Sequence, residues 1–260
     1  MSDKKRTKSA KKSGIKSVET SISIIEALKD QRGATVSEVA EATGYSPAAV
    51  SKHLTTLQRN GFVTKRRQQY QLGLRYLQIG SFVRENLYGG RTIKKEIFEL
   101  AARTEEVAEY VIESSGEGVV VYRELGNQGV AGRTRVGSRL PMHQAAAGKA
   151  ILAHLPDKTV KQIIHTHELE PATENTITDE SKLFEELDEI RERGYAINDE
   201  ESTKGLYAIA VPIKIVQGEV IGACAISGPT HRLKNSSKME QVTESLLEVT
   251  NEIELTLSYN

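Results

Sequence analysis

The residues best placed to do chemistry sit in one short stretch, and the chemistry they suit is recognition, not bond-making. Ser46 precedes Pro47, an N-cap followed by proline at the first helical position. The helix that starts there carries Val50, Leu54 and Leu57 on one apolar stripe and stops at Gly61. Its other face presents Ala48, Ser51, Lys52, Thr55, Thr56 and Arg59. Small, hydroxylated and cationic side chains let a helix approach a DNA major groove and offer donors to bases and phosphates. The amides of Ala48 and Ala49, at the helix start, add a phosphate site. Two short strands, 62–64 and 70–72, follow, and the polar turn between them holds Lys65, Arg66 and Arg67, cations suited to gripping the backbone or the minor groove. His53 falls at the edge of the buried face and reads as a boundary residue, not a base contact.

Other chemistry-bearing residues do not assemble. His165 and His167 with Glu168 are too close in sequence to share a helix face, where neighbours lie three or four apart. Cys224 lies in an apolar strand and behaves as a small hydrophobe. Glu185, Glu186, Asp188 and Glu189 read as a solvated helix face. No glycine-rich phosphate loop, zinc spacing or nucleophile elbow is present. No catalytic residue, metal site or cofactor is expected.

The elements that position the recognition helix form a compact unit over 15–73. Val18, Ile22, Ile25 and Leu28 fall at helical spacing up to Gly33. Val36, Val39 and Ala40 mark a second short helix, capped by Thr35 or Ser37 and stopped by Gly44. Helix, short helix, turn, capped helix and basic hairpin make the order of a winged helix-turn-helix. Residues 74–105 read as linking helices, broken at Gly89–Gly90, and offer a dimer interface. Residues 106–260 alternate strand patterns (107–112, 118–123, 195–198, 207–216, 220–227) with helix patterns (144–155, 158–166, 181–193, 238–257). The expectation is a two-domain α/β (α+β) chain whose second domain is one mixed sheet flanked by helices.

Charge agrees with that division. The 260 residues are neutral as a whole, but residues 1–70 carry 14 Lys+Arg against 6 Asp+Glu, and residues 71–260 carry 21 against 29. A basic head on an acidic body suggests a polyanion-binding module joined to one with another task. Six of the positive charges lie in residues 4–12, within a segment over 1–14 too polar to order itself. A single cysteine excludes a disulfide framework and points to a cytoplasmic chain. No apolar run approaches the roughly 18 residues of a membrane span, and no apolar stretch follows the basic start, so no membrane partner or secretory signal is expected.

With these blocks in view, the sequence resembles the IclR family of prokaryotic transcription regulators from about Gly14 to the C-terminus. The resemblance is carried by residues 17–21 (Ser-Val-Glu-Thr-Ser), 46–54 (Ser-Pro-Ala-Ala-Val-Ser-Lys-His-Leu) and 70–73 (Tyr-Gln-Leu-Gly). It continues in 137–143 (Gly-Ser-Arg-Leu-Pro-Met-His), 147–153 (Ala-Gly-Lys-Ala-Ile-Leu-Ala) and 193–196 with Glu200 and Glu201. Residues 209–213 (Ile-Ala-Val-Pro-Ile) and 226–229 (Ile-Ser-Gly-Pro) before Arg232 complete it. It implies a GAF-like effector domain, a homodimer or homotetramer on promoter DNA, and a small organic acid or aromatic effector.

Two features give the implied pocket a physical basis. The helix start near Lys149 exposes amides at Ala145, Ala146 and Ala147 that suit a carboxylate, and the small residues Ala208, Ala225 and Ser227 leave space over the sheet. The resemblance adds an apolar wall at Leu140 and Leu206. In members that control the glyoxylate shunt, an acid, a cysteine and a serine stand where this chain has Asn198, Ala208 and Ala225. The pocket is thus expected to be less acidic, less polar and roomier, suited to an aromatic or sugar-derived acid. Two other readings stay open: a non-specific architectural DNA binder that uses its lysine tail, and an enzyme with His143 as base. The first predicts equal affinity for promoter and random DNA, the second consumption of the metabolite.

Overall fold

The computed structural model describes residues 14–132, 134–215 and 218–259, so the tail expected over 1–14 lies outside the described residues except for Gly14. Two compact units divide at residues 86 and 87.

The first unit contains α1 (Lys16–Asp30), α2 (Val36–Thr43), α3 (Pro47–Arg59), the antiparallel hairpin β1 (Val63–Arg66) and β2 (Gln69–Leu72), and α4 (Arg75–Glu85). Ile24, Leu28, Val39, Val50, Leu54 and Val63 form its core. Each helix starts and stops where backbone chemistry requires. Thr35 makes a full capping box with Glu38, Gly44 adopts the left-handed conformation that ends α2 (φ 73°), and the Ser46 hydroxyl accepts from the Ala49 amide. The buried face of α1 differs from the expected one: Thr20, Ile24 and Leu28 are buried, while Val18 and Ile22 are exposed. Thr20 tolerates burial because its hydroxyl donates to the Lys16 carbonyl within the helix.

The second unit contains α5 (Gly90–Thr104), β3 (Val107–Ser114), β4 (Glu117–Leu125), β5 (Arg139–Pro141), α6 (Ala146–Leu152), α7 (Asp157–His167), α8 (Glu180–Arg193), β6 (Ala196–Asp199), β7 (Leu206–Lys214), β8 (Val220–Pro229), α9 (Thr230–Leu233) and α10 (Ser236–Ser258). The six strands form one sheet in the order β5-β4-β3-β8-β7-β6. Every pairing is antiparallel, which corrects the expected mixed sheet. The connections explain this. A two-residue turn, Ser115–Gly116, with both residues at positive φ (58° and 84°), folds β3 directly onto β4. A short link likewise returns β7 onto β8, and neither leaves room for the crossover a parallel pair needs.

One face of the sheet is covered by α5 and α10, through Ile93, Ile97, Leu100, Val242, Leu246 and Val249. Thus α5 belongs to the core of this unit and is not a free linker. The other face carries α6 and α8, through Ala150, Ile151, Leu183 and Leu187. A side chain at Gly148 would collide with the Met142 carbonyl 2.2 Å away, so glycine is what lets α6 sit so close to that backbone. No described helix is long and apolar enough to cross a membrane.

Candidate nucleic-acid interface and effector cavity

The burial of Val50 and Leu54 turns the opposite side of α3 outward. Ser46, Ala48, Ser51, Lys52, Thr55, Thr56 and Arg59 are all exposed along it. Thr55 and Thr56 donate to the Ser51 and Lys52 carbonyls at 2.8 and 3.1 Å, which fixes their rotamers and leaves their oxygens as acceptors. One expected feature changes: the Ala49 amide is taken by Ser46 at 3.2 Å, so it is not free for a phosphate. His53 is half-buried and its Nδ1 meets the Ser21 hydroxyl at 2.8 Å, a tie between α3 and α1.

The hairpin places Lys65 and Arg66 in β1 and Arg67 at the tip, where Arg67 takes a positive φ of 55°. All three are exposed. Lys65 lies 5.0 Å over the Tyr70 ring, which braces it. Arg75, which the sequence reading did not single out, donates to the Asn60 carbonyl at 2.7 Å and lies over the Phe62 ring, pinning the end of α3 to the start of α4. Among the described residues no ion pair joins Lys52, Arg59, Arg66 or Arg67.

In the second unit a cavity of about 400 Å3 opens between the sheet and the α6 side. Its floor follows from strand register. Asn198, Ala208, Ser227 and Val107 form one cross-strand row, and Ala210, Ala225, Glu109 and Arg123 form the next. Side chains alternate faces along each strand, so the members of a row share a face. Leu140, Ala146, Ala147, Asn198, Leu206, Ala208, Ala225 and Ser227, which the sequence reading grouped, all line this one space. The small side chains of Ala208, Ala225 and Ser227 leave the floor open.

Two details differ from expectation. Asn198 is buried, and its amide is committed to the loop after β6: Oδ1 accepts from the Glu201 amide at 2.8 Å and Nδ2 donates to the Ser202 hydroxyl at 2.7 Å. The helix near Lys149 starts at Ala146, later than expected, and the Ala145 amide donates to the Pro141 carbonyl at 3.3 Å.

The cavity also holds a charged pair that the sequence reading missed. Arg123 Nε donates to Glu109 Oε1 at 3.0 Å, and both side chains are about nine-tenths buried. Burial holds the Glu109 carboxyl above the usual carboxylate range, against the pull of Arg123. The signal was present in the strands: Glu109 interrupts the apolar start of β3, and Arg123 closes the apolar run 119–122 of β4.

A second buried pair braces the walls. Lys149 of α6 is 1% exposed; its Nζ lies 2.6 Å from Glu201 and 3.5 Å from Glu186. Burial raises the Glu201 carboxyl, with Lys149 opposing the rise. His143 is not among the residues lining the main cavity. Its Nε2 pairs with the Glu170 carbonyl at 3.1 Å, and burial lowers its affinity for a proton. No cluster of described residues could hold a metal ion.

A winged helix-turn-helix with an open cationic face, joined in one chain to an antiparallel sheet domain with a cavity of metabolite size, defines a ligand-responsive DNA-binding protein. The comparisons with known proteins specify the class. Residues 17–67 match the IclR helix-turn-helix domain, and residues 91–255 match the C-terminal domain of the bacterial transcriptional regulator IclR. The chain therefore belongs to the IclR family: it is a DNA-binding transcriptional regulator with a C-terminal effector-binding domain. Its curated relatives include the "Probable HTH-type transcriptional regulator ArcR" of Halobacterium salinarum, 32% identical over 94% of this chain and 94% of that protein. The crystal structure of IclR from Thermotoga maritima matches it with a TM-score of 0.80 at 29% identity, covering 95% of this chain and 100% of the other. An IclR homolog from Microbacterium hydrocarbonoxydans complexed with 4-hydroxybenzoate shares the fold, with a TM-score of 0.79 at 20% identity over 93% and 98% of the two chains.

Proposed function

We propose that this regulator acts as a cytoplasmic homodimer, or a pair of dimers, on a palindromic promoter operator, and that a small aromatic or sugar-derived acid in the cavity sets its affinity for that operator. The observation that carries the DNA reading is the continuous exposed face of α3, with Ser46, Ala48, Ser51, Lys52, Thr55, Thr56 and Arg59, backed by a hairpin whose cations have no carboxylate partners among the described residues. The first residues of α3 read bases; Lys65, Arg66 and Arg67 hold the backbone. Two reading heads require two-fold symmetry and half-sites about 34 Å apart. The segment at α4 supports the dimer: Leu74, Leu77, Phe82 and Val83 are 57–82% exposed, apolar side chains distributed around the helix that a partner could cover.

The effector reading rests on the cavity, whose size lies within the usual range of about 300–1,000 Å3. Its Ala208 and Ala225 floor suits a flat or extended apolar body, and the ligand of the Microbacterium homolog, an aromatic acid, is of that kind. The test is binding of the full chain to the intergenic DNA beside its own gene, against random DNA, across a salt series. Selective binding at moderate salt, lost on Lys52→Ala, is expected. Equal binding to both DNAs, vanishing together with salt, would return the basic unit to a charge-only role.

A further inference from the structure

The geometry points to an anchor that the family resemblance does not supply. We propose that the guanidinium of Arg123 binds the effector's carboxylate, so that the effector is a monocarboxylate held against the sheet. The inference rests on the effector cavity of the proposed function and names the chemistry within it.

Arg123 is 8% exposed and lines the cavity. Register sets it beside Glu109 on the adjacent strand, and the next residues in that row are Ala225 and Ala210. Ala225, next in the row, also lines the cavity and brings only a methyl group to it. Among the described residues, the guanidinium donates only through Nε, to Glu109. Its two terminal nitrogens, with four N–H donors, are left at the cavity wall. The remaining fork edge has the spacing of a carboxylate. Glu109 fixes the guanidinium plane through Nε and so selects that edge. It also limits the ligand's charge, since a second carboxylate on the effector would face an acid. Val107, Val111 and Leu140 supply the apolar walls for the body of the molecule.

The test uses the purified full chain and isothermal titration with benzoate, 4-hydroxybenzoate, phenylacetate and gluconate, each beside its primary amide. Acids are expected to bind, and their amides to bind on the order of tenfold to a hundredfold more weakly. Arg123→Gln alone strands Glu109, so the paired variant Arg123→Gln with Glu109→Gln, a neutral hydrogen-bonded replacement, carries the test. It should lose the preference for acids while keeping the circular dichroism spectrum. Glu109→Gln alone should tighten acid binding several-fold. Equal binding of acids and amides, a paired variant that retains the preference, or no binding by any acid of the panel overturns the anchor. Ala225→Phe fills the cavity regardless of what anchors the ligand. Acids that still bind this variant would show that the site lies elsewhere, a failure of the cavity reading itself.

Discussion

Replacing Lys149 by methionine isolates one buried charge and predicts a stability loss with a particular pH dependence. Methionine keeps the length and apolar volume of the lysine stem, so little packing is lost. What changes is the partner. Glu186 retains Arg193 at 2.7 Å, but Glu201 loses its only ion pair among the described residues. The Glu201 side chain is 9% exposed and its Oε2 already lacks a hydrogen-bond partner. A carboxylate stranded there takes up a proton instead of staying charged. Neutralising a group of ordinary pKa 4.5 at pH 7 costs about 3 kcal/mol, at about 1.4 kcal/mol per unit. That sets the loss at pH 7 near 3 kcal/mol, within reach of the 3–5 kcal/mol typical of a broken buried pair.

The sign follows from the raised carboxyl. A group that binds its proton more tightly when folded stabilises the protein below its ordinary pKa, and the advantage is lost as pH rises through the folded value. The deficit of Lys149→Met should therefore shrink to below about 1 kcal/mol by pH 5, and Lys149→Met with Glu201→Gln should recover most of it at pH 7. Urea titrations followed by circular dichroism between pH 5 and 8 measure both. A deficit under about 1 kcal/mol at pH 7, or one that does not change with pH, would refute the assignment of Glu201 as the stranded charge.

Other expectations can be checked alongside. Arg66→Ala and Arg67→Ala should each weaken binding to all DNA sequences about equally and lower the slope of log affinity against log salt by about 1, measured by fluorescence anisotropy. Thr35→Ala removes the capping-box oxygen that receives the Glu38 amide and should cost about 1 kcal/mol by thermal melting, with Thr35→Ser nearly neutral. Burial lowers the proton affinity of His143 and His154, so their contribution is present above about pH 6.5 and lost as pH falls through the folded values. Calorimetry should find that His143→Gln with His154→Gln flattens the decline in melting temperature on that side, and an unchanged decline would assign it to other groups.

The parts of the molecule legible in its sequence are those governed by local rules. Ser46 before Pro47, Gly44 and the stripe of Val50, Leu54 and Leu57 specify α3 without reference to the rest of the chain, and its outward face follows by exclusion. The register of the sheet is not local. Strand patterns located β3, β4, β7 and β8 closely but carried no statement of direction, so the expected mixed sheet was wrong where short connections such as the Ser115–Gly116 turn close neighbouring strands antiparallel. The burial of Thr20 and the exposure of Val18 and Ile22 escaped periodicity for a related reason. Four apolar residues at helical spacing mark an amphipathic face, but whether that face meets the protein's own core depends on the helices around it.

The cavity divides along the same line. Its small residues were recognised because the space left by an alanine is a property of that residue alone. Glu109 and Arg123 were missed because neither means much by itself: an acid and a base fourteen positions apart become one buried pair only once a hairpin sets them side by side. Cross-strand pairing then gives each charge a reason to be buried, and the small side chain of Ala225 beside them leaves Arg123 a cavity to face. A site read as a set of small residues and helix amides thus acquires its charged centre from topology. For the same reason, the chemistry a ligand must carry to fill that site follows from strand register and not from a motif.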